Sequence, residues 1–259
     1  KTIISHKELE VRVSDHANQA MLEILSQAVQ GSEGGFRFQL QNIPARIDAY
    51  GDQIRFVTLY RRNKVTGTVG SCYRVTGQGK LRYSSSHLRY LAFLSVYQTS
   101  YKPGKKRKDL IKTEKDDTFK NKTLEIFSKP HLLDFDHVEE DQKHIMYAFI
   151  ESMNERSKSL VNKAGYEYIR SFLTVAFSRF NPKPDSRVSK LSSEAEKKEM
   201  EALLLKYYKE HSFFSTDNIF FGDRYYVIRE NGRIVAGVSA IPSSYRIYDM
   251  PGVWGWICM

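Results

Sequence analysis

The run Leu-Arg-Tyr-Leu-Ala-Phe-Leu-Ser-Val at Leu88 to Val96 is the most apolar short stretch of this 259-residue chain, and it constrains the fold most. It is too short to span a bilayer as a helix, which takes about 20 apolar residues. Its length and polar flanks read as a central strand. A central strand needs neighbours, so other segments must supply them. Leu9 to Val13 alternates as a short strand. Ile54 to Tyr60 and Val65 to Tyr73 flank the polar turn Arg61 to Lys64 and read as a hairpin. His144 to Ile150 reads as a further strand, and Tyr168 to Phe180 as a long strand or a hairpin pair.

Two helices stand out between them. Ala17, Ala20, Met21, Ile24, Leu25 and Ala28 recur at helical spacing behind Asp15 at the N-cap position, and Gly31, Gly34 and Gly35 end that pattern. Asn154 caps a short helix through Leu160, Val161 and Ala164, closed by Gly165. Residues 98–140 are polar and charged, and their pattern places no helix. Asn181 to Ser186 holds two prolines and marks a linker. Beyond it the pattern restarts: Ser193 and Glu196 form a capping box, and Met200, Leu203, Leu204, Tyr207 and Tyr208 make an apolar stripe. Tyr225 to Arg229 and Ile234 to Ile241 then flank Asn231-Gly232 as a hairpin, and Trp254 to Met259 begins another strand. Helix, hairpin and strand thus recur in order. The expectation is an α/β (α+β) chain divided as 1–181 and 182–259, the second an incomplete copy of the first.

Composition narrows the function classes. Hydrophobic residues at 41% and aromatics at 13% can fill a core, which excludes wholesale disorder. No stretch reaches eighteen uninterrupted apolar residues and the first residues lack a signal-peptide pattern, so no membrane partner is expected. Cys72 and Cys258 are too few for a disulfide framework and suit a reducing, cytoplasmic setting. No His or Cys pair has metal-ligand spacing, and no metal is expected. The net charge of +10 is uneven: Lys102 to Lys122 carries nine Lys/Arg against Asp109, Glu114, Asp116 and Asp117. Such a cluster suits phosphate, on a nucleotide cofactor or on nucleic acid, and is equally the composition of a solvated surface segment.

Four pieces taken in order resemble the GNAT superfamily of N-acetyltransferases. They are the 54–73 hairpin, the strand LRYLAFLSV, the strand HIMYAFIES, and Asn154 to Tyr166. The last is similar to the family's Asn-x-x-(Ala/Ser)-x-x-Leu-Tyr-x-x-x-Gly-Phe signature, matched at Asn154, Ser157, Leu160, Gly165 and an aromatic at Tyr166. The resemblance covers roughly residues 8–180 and restarts near 190. It implies a mixed, mostly antiparallel central sheet flanked by helices. It also implies acyl transfer from acetyl-CoA (acyl-CoA) to a small-molecule or peptide amine. In the family the strand matching LRYLAFLSV diverges from the one matching HIMYAFI, and the gap admits the pantetheine arm. Leu94, Ser95 and Val96 would offer it their main chain, with Asn154 and Ser157 beside it.

Two departures from the family pattern bear on chemistry. Where a Gly-rich loop normally cradles the pyrophosphate, this chain has Lys102-Pro103-Gly104-Lys105-Lys106-Arg107. The side chains of Lys102, Lys105, Lys106 and Arg107 would have to hold the phosphates around Gly104. Val161 stands where many members carry the tyrosine that protonates the departing thiolate. Glu151, at the end of its strand, is the expected base; Tyr147 and Tyr166 are the candidate acids. Two other readings use the same features. One is an aminoacyl-tRNA-dependent transferase of tandem fold, with nucleic acid as partner. The other is a non-catalytic acyl-CoA-sensing or interaction module. The seven histidines read as structural or exposed.

Overall fold

The computed structural model describes residues 1–77, 82–94, 121–135, 143–172, 183–211, 213–217 and 219–250. The chain divides into two units: Lys1–Arg74, Tyr83–Glu167 and Ser244–Met259 form one, and Val75–Arg82 with Tyr168–Ser243 the other. Its strands are β1 (Thr2–His6), β2 (Leu9–Ser14), β3 (Val29–Gln30), β4 (Arg37–Leu40), β5 (Ile54–Arg61), β6 (Lys64–Thr76), β7 (Tyr83–Phe93), β8 (His144–Ala148), β9 (Val188–Lys190), β10 (Tyr225–Glu230), β11 (Arg233–Ser239) and β12 (Tyr245–Asp249). The helices are α1 (Gln19–Gln27), α2 (Ile43–Asp48), α3 (Glu155–Lys163) and α4 (Glu194–Tyr207). Residues 121–126 are also helical.

The first unit is built on a six-stranded sheet in the order β1-β2-β5-β6-β7-β8. The β1/β2, β2/β5 and β5/β6 pairs are antiparallel, and β7/β8 is parallel. The expected mixed, mostly antiparallel sheet with flanking helices is present. Strand alternation sends residues to two cores. Ile54, Phe56, Val65 and Cys72 pack on Met21, Ile24 and Leu25 of α1 and on Ile43 and Ile47 of α2. Val11, Val13, Val57 and Val69 pack on the opposite face against Ile126, Leu133 and Phe135. A second small sheet, β12-β4-β3, belongs to the same unit.

Several boundaries differ from the sequence reading. The first helix starts at Gln19, capped by Asn18, whose Oδ1 accepts from Met21 N at 3.0 Å; Asp15 instead bonds His16. The central strand runs from Tyr83 to Phe93 rather than from Leu88 to Val96. Its polar start, Ser84-Ser85-Ser86-His87, is buried, and each serine has a partner that makes burial tolerable. Ser84 Oγ bonds Tyr73 Oη at 3.2 Å, Ser85 Oγ donates to Arg74 O at 3.1 Å, and Ser86 Oγ bonds His144 Nε2 at 2.9 Å. β1, β3, β4 and α2 had no clear periodic signal. Tyr168 to Phe172 form no strand; the rest of that expected strand, Trp254 to Met259, Cys258 and the 181/182 boundary lie outside the described residues.

The second unit has the sheet order β11-β10-β9, with Leu191, Met200, Tyr225, Val227 and Ile234 as its core. Its helix carries both bonds of the capping box, although Tyr207 is exposed rather than part of the apolar stripe. The hairpins of the two units match feature by feature. Arg62-Asn63 and Asn231-Gly232 all have positive φ, as a two-residue hairpin turn with the right twist requires. Two pairs beyond each turn, Tyr60↔Val65 and Arg229↔Ile234, one residue is skipped: Thr66 in the first and Val235 in the second. β9 lies antiparallel on β10 as β2 lies on β5. From Ser244 onward the chain belongs to the first unit, where β12 pairs with β4. The 182–259 segment is thus not one body.

Phe56 is fully buried between β5 and α1. Phe56→Ala should cost about 3–5 kcal/mol of stability, read as a lower urea midpoint, whereas Val238→Ala on the exposed edge should change it by less than about 0.5 kcal/mol.

Candidate active site

The parallel pair β7/β8 supplies the site. Its register runs from Ser84↔His144 to Leu88↔Ala148, where β8 ends while β7 continues to Phe93. Parallel strands need a long crossover, here the chain between Phe93 and His144. Past Leu88 the described register with β8 stops, and β7 runs on for five more residues. At this point Tyr90 takes a left-handed backbone, φ +55°. For an aromatic residue that conformation costs on the order of 1–3 kcal/mol and has to be held by its surroundings. Tyr50, just beyond α2, meets the Tyr90 ring edge-on at 6.5 Å.

The turn at Tyr90 brings Arg89 and Tyr90 together on the α1/α2 face. Arg89 Nη1 donates to Tyr50 Oη, and its guanidinium carbon lies 5.3 Å from the Tyr90 ring centre. His87, two residues earlier on this face, stacks on Tyr147 of β8 with centroids 4.7 Å apart and planes 4° from parallel. Phe149 closes against both rings, 4.9 Å from His87 and 5.8 Å from Tyr147. Burial, reinforced by Arg89 and Arg74, pushes the His87 pKa down to about 3, so the imidazole is neutral. Burial also raises the Tyr50 phenol to about 12 and the Cys72 thiol to about 11, and raises Tyr90 and Tyr147. All of these groups are uncharged near pH 7; the arginines carry the site's positive charge.

Glu151 follows Tyr147 and Phe149 at strand spacing. Ser32 Oγ donates to its Oε2 at 2.8 Å. Its other oxygen would lie 2.9 Å from a Cβ at Gly35, so only glycine there lets the carboxylate come this close. The 31–35 loop thereby fixes Glu151 near the parting of the strands.

The opposite side holds the signature helix. Asn154 is its N-cap: Oδ1 accepts from Ser157 N at 3.0 Å, which accounts for both residues structurally. The Tyr166 hydroxyl is committed to Phe127 O at 2.8 Å, and burial carries its pKa above the usual phenol range. Leu94 N donates to Thr66 O of β6 at 2.9 Å, so of the three residues expected to offer main chain, Leu94 has its N–H engaged on the β6 side. Ser95, Val96, Lys102, Gly104, Lys105, Lys106 and Arg107 lie outside the described residues. Beyond Phe93 opens a cavity of about 450 Å³ lined by His6, Lys7, Leu59, Arg61, Thr66 and Arg156, among others. Phe93 can lie across the backbone there because Gly67 has no Cβ; one would fall 2.2 Å from the ring.

Glu151 and Tyr147 are thus brought to the parting, while Tyr166 and Asn154 serve the scaffold. His87, Arg89, Tyr50 and Ser32 were missed. The alternation of His87 and Arg89 within a buried strand was the available signal; nothing local marked Ser32 or Tyr50.

The parting of a parallel pair beside a capped Asn154 helix is the arrangement that the sequence resemblance implies. The fold is a mixed, mostly antiparallel sheet flanked by helices. No family model matches the chain, and no curated protein matches it. Solved structures similar to it include glucosamine-6-phosphate N-acetyltransferase from Arabidopsis thaliana, at 13% identity and TM-score 0.37, over 65% of this chain and 99% of that one. An aminoglycoside acetyltransferase from an uncultured soil metagenomic sample matches at 9% identity and TM-score 0.35, over 66% and 96%. Saccharomyces cerevisiae N-myristoyltransferase with bound myristoyl-CoA matches at 10% identity and TM-score 0.39, over 90% of this chain and 60% of that one. Among the described residues no helix is long and apolar enough to cross a membrane, and no three His, Cys, Asp or Glu side chains gather as a metal site.

His87 titrates near 6.5 when unfolded and near 3 when folded, so the unfolded state binds the proton more readily between those values. Stability should therefore fall as pH drops from about 6.5 towards 3, by up to about 1.4 kcal/mol per pH unit from His87. His144, lowered by burial to about 4, adds in the same direction. Urea midpoints measured across this range should flatten in His87→Gln.

Proposed function

We propose that this chain is an acyl-CoA-dependent N-acyltransferase whose reacting centre lies where β7 and β8 part. The observation that carries the reading is that the β7/β8 register ends at Leu88↔Ala148 while β7 continues to Phe93, with Ser32 holding the Glu151 carboxylate just past β8. A pantetheine arm has two amides, and an extended chain of amides completes an open strand edge by main-chain bonds. The thioester carbonyl would then lie against β7 backbone N–H groups, which stabilise its developing oxyanion.

Glu151 takes the proton from the attacking ammonium, directly or through one water, and Ser32 holds the carboxylate for that purpose. The amine nitrogen then bonds to the thioester carbon, the C–S bond breaks, and the thiolate leaves with the electron pair. Valine at 161 cannot protonate it, and the Tyr166 hydroxyl is engaged with Phe127 O. Tyr147, the other phenol expected as an acid, lies on β8 one residue before the register ends. A thiolate is a tolerable leaving group, so an acid assists without being required. Arg61 and Arg156, with Lys7, put positive charge around the cavity past Phe93, towards which a donor's phosphates would extend. The corresponding features of the second unit fit a partial repeat of this fold.

The test is thiol release from acetyl-CoA and longer acyl-CoAs with a panel of primary amines, beside thermal shift with each donor alone. Wild-type protein should be stabilised by a donor and should turn over with at least one amine. Glu151→Gln should lower kcat about 10²–10⁴-fold while leaving the donor's KM unchanged. Absence of any donor-induced shift at millimolar concentration overturns the reading, and points to the tRNA-dependent or non-catalytic alternatives.

A further inference from the structure

The α1/α2 face carries two half-buried arginines with no carboxylate partner among the described residues. Arg89 Nη1 donates to the neutral Tyr50 hydroxyl, and the guanidinium lies against the Tyr50 and Tyr90 rings, 5.8 and 5.3 Å from their centres. Arg74 lies along β6 beside Ser85, near enough for its charge to act on His87, Tyr147 and Cys72. Among the described residues neither guanidinium has a carboxylate within ion-pair distance. Elsewhere on this chain Arg12, Arg62, Arg187 and Arg229 each have one. A partly desolvated guanidinium with unused donors is costly unless a ligand supplies the anion.

The surroundings fit a ligand rather than a structural partner. Tyr50 fixes the guanidinium from one side, the aromatic wall of His87, Tyr147 and Phe149 stands across β7/β8, and Glu151, two residues past Phe149, is held by Ser32. Arginine suits this role because its planar fork meets a carboxylate or phosphate through two parallel bonds. We infer that Arg89, oriented by Tyr50 and assisted by Arg74, binds an anionic group carried by the acceptor, so that the acceptor is an amine bearing a carboxylate or a phosphate. This rests on the acyltransferase reading for the word acceptor, but the anion site itself does not depend on it. The amine would lie towards Glu151 and the anion towards Arg89, giving the site one orientation for its substrate.

The experiment uses the full chain without any acyl donor, so its failure is separable from failure of the transferase reading. Phenylglyoxal modification of each arginine is followed by peptide mass spectrometry, with inorganic phosphate, succinate or sodium chloride at matched ionic strength. Phosphate or succinate should slow modification of Arg89 saturably, chloride should not, and exposed Arg233 should be unaffected by either. The anion that protects at lower concentration identifies the group recognised. In a parallel titration read by thermal shift, Arg89→Gln should weaken that anion's binding about tenfold or more, the loss expected for a charge-assisted bond, whereas Lys198→Gln on α4 should bind as wild type. Equal protection by chloride, or none by either anion, overturns the inference. So does a folded Arg89→Gln protein with unchanged binding. If that variant does not fold, the wild-type protection pattern decides alone.

Discussion

The rest of the molecule depends on two parallel strands that pair for a short stretch and then part. While β7 and β8 run together they bury Ser84, Ser85, Ser86 and His87, and Ser86 Oγ bonds His144 Nε2 across the pair. Where the described register ends, β7 runs on past β8, and the polypeptide stores strain at Tyr90. The long crossover keeps the strands parallel, and the α1/α2 core beneath them holds the parting rigid. A site assembled on strands backed by two cores is positioned more precisely than one carried on loops.

Around that opening the chemistry is divided by face. One side has neutral phenols, a neutral imidazole, a carboxylate pinned by a serine, and guanidinium groups with no carboxylate partner among the described residues. The other has a capped helix and a cavity edged by basic side chains. Desolvation is the common cause of the altered protonation: the same burial that favours packing keeps tyrosines protonated and histidines neutral.

Much of this was legible without coordinates. The hairpins, the capped helices at Asn154 and Ser193, and the existence of a central strand followed from period, turn residues and capping pairs. The signature Asn154 was found as a residue, but its part is to cap a helix. The start of β7 was hidden because Ser84-Ser85-Ser86-His87 reads as a polar loop, and polarity in sequence does not report the hydrogen bonds that make burial possible. Tyr166 was weighed as an acid since its neighbours in sequence say nothing of Phe127 O, which lies on a distant segment.

Sequence by itself determined the two hairpins, the helices capped at Asn154 and Ser193 and the presence of a central strand, because periodicity and capping are local properties of a few consecutive residues. Tertiary structure alone decided that Ser32 holds Glu151, that Tyr50 orients Arg89, that His87 lies flat on Tyr147, and that β12 joins the first unit. Those contacts join residues far apart in the chain, and their strength comes from the exclusion of water in a folded interior, which no stretch of sequence possesses on its own.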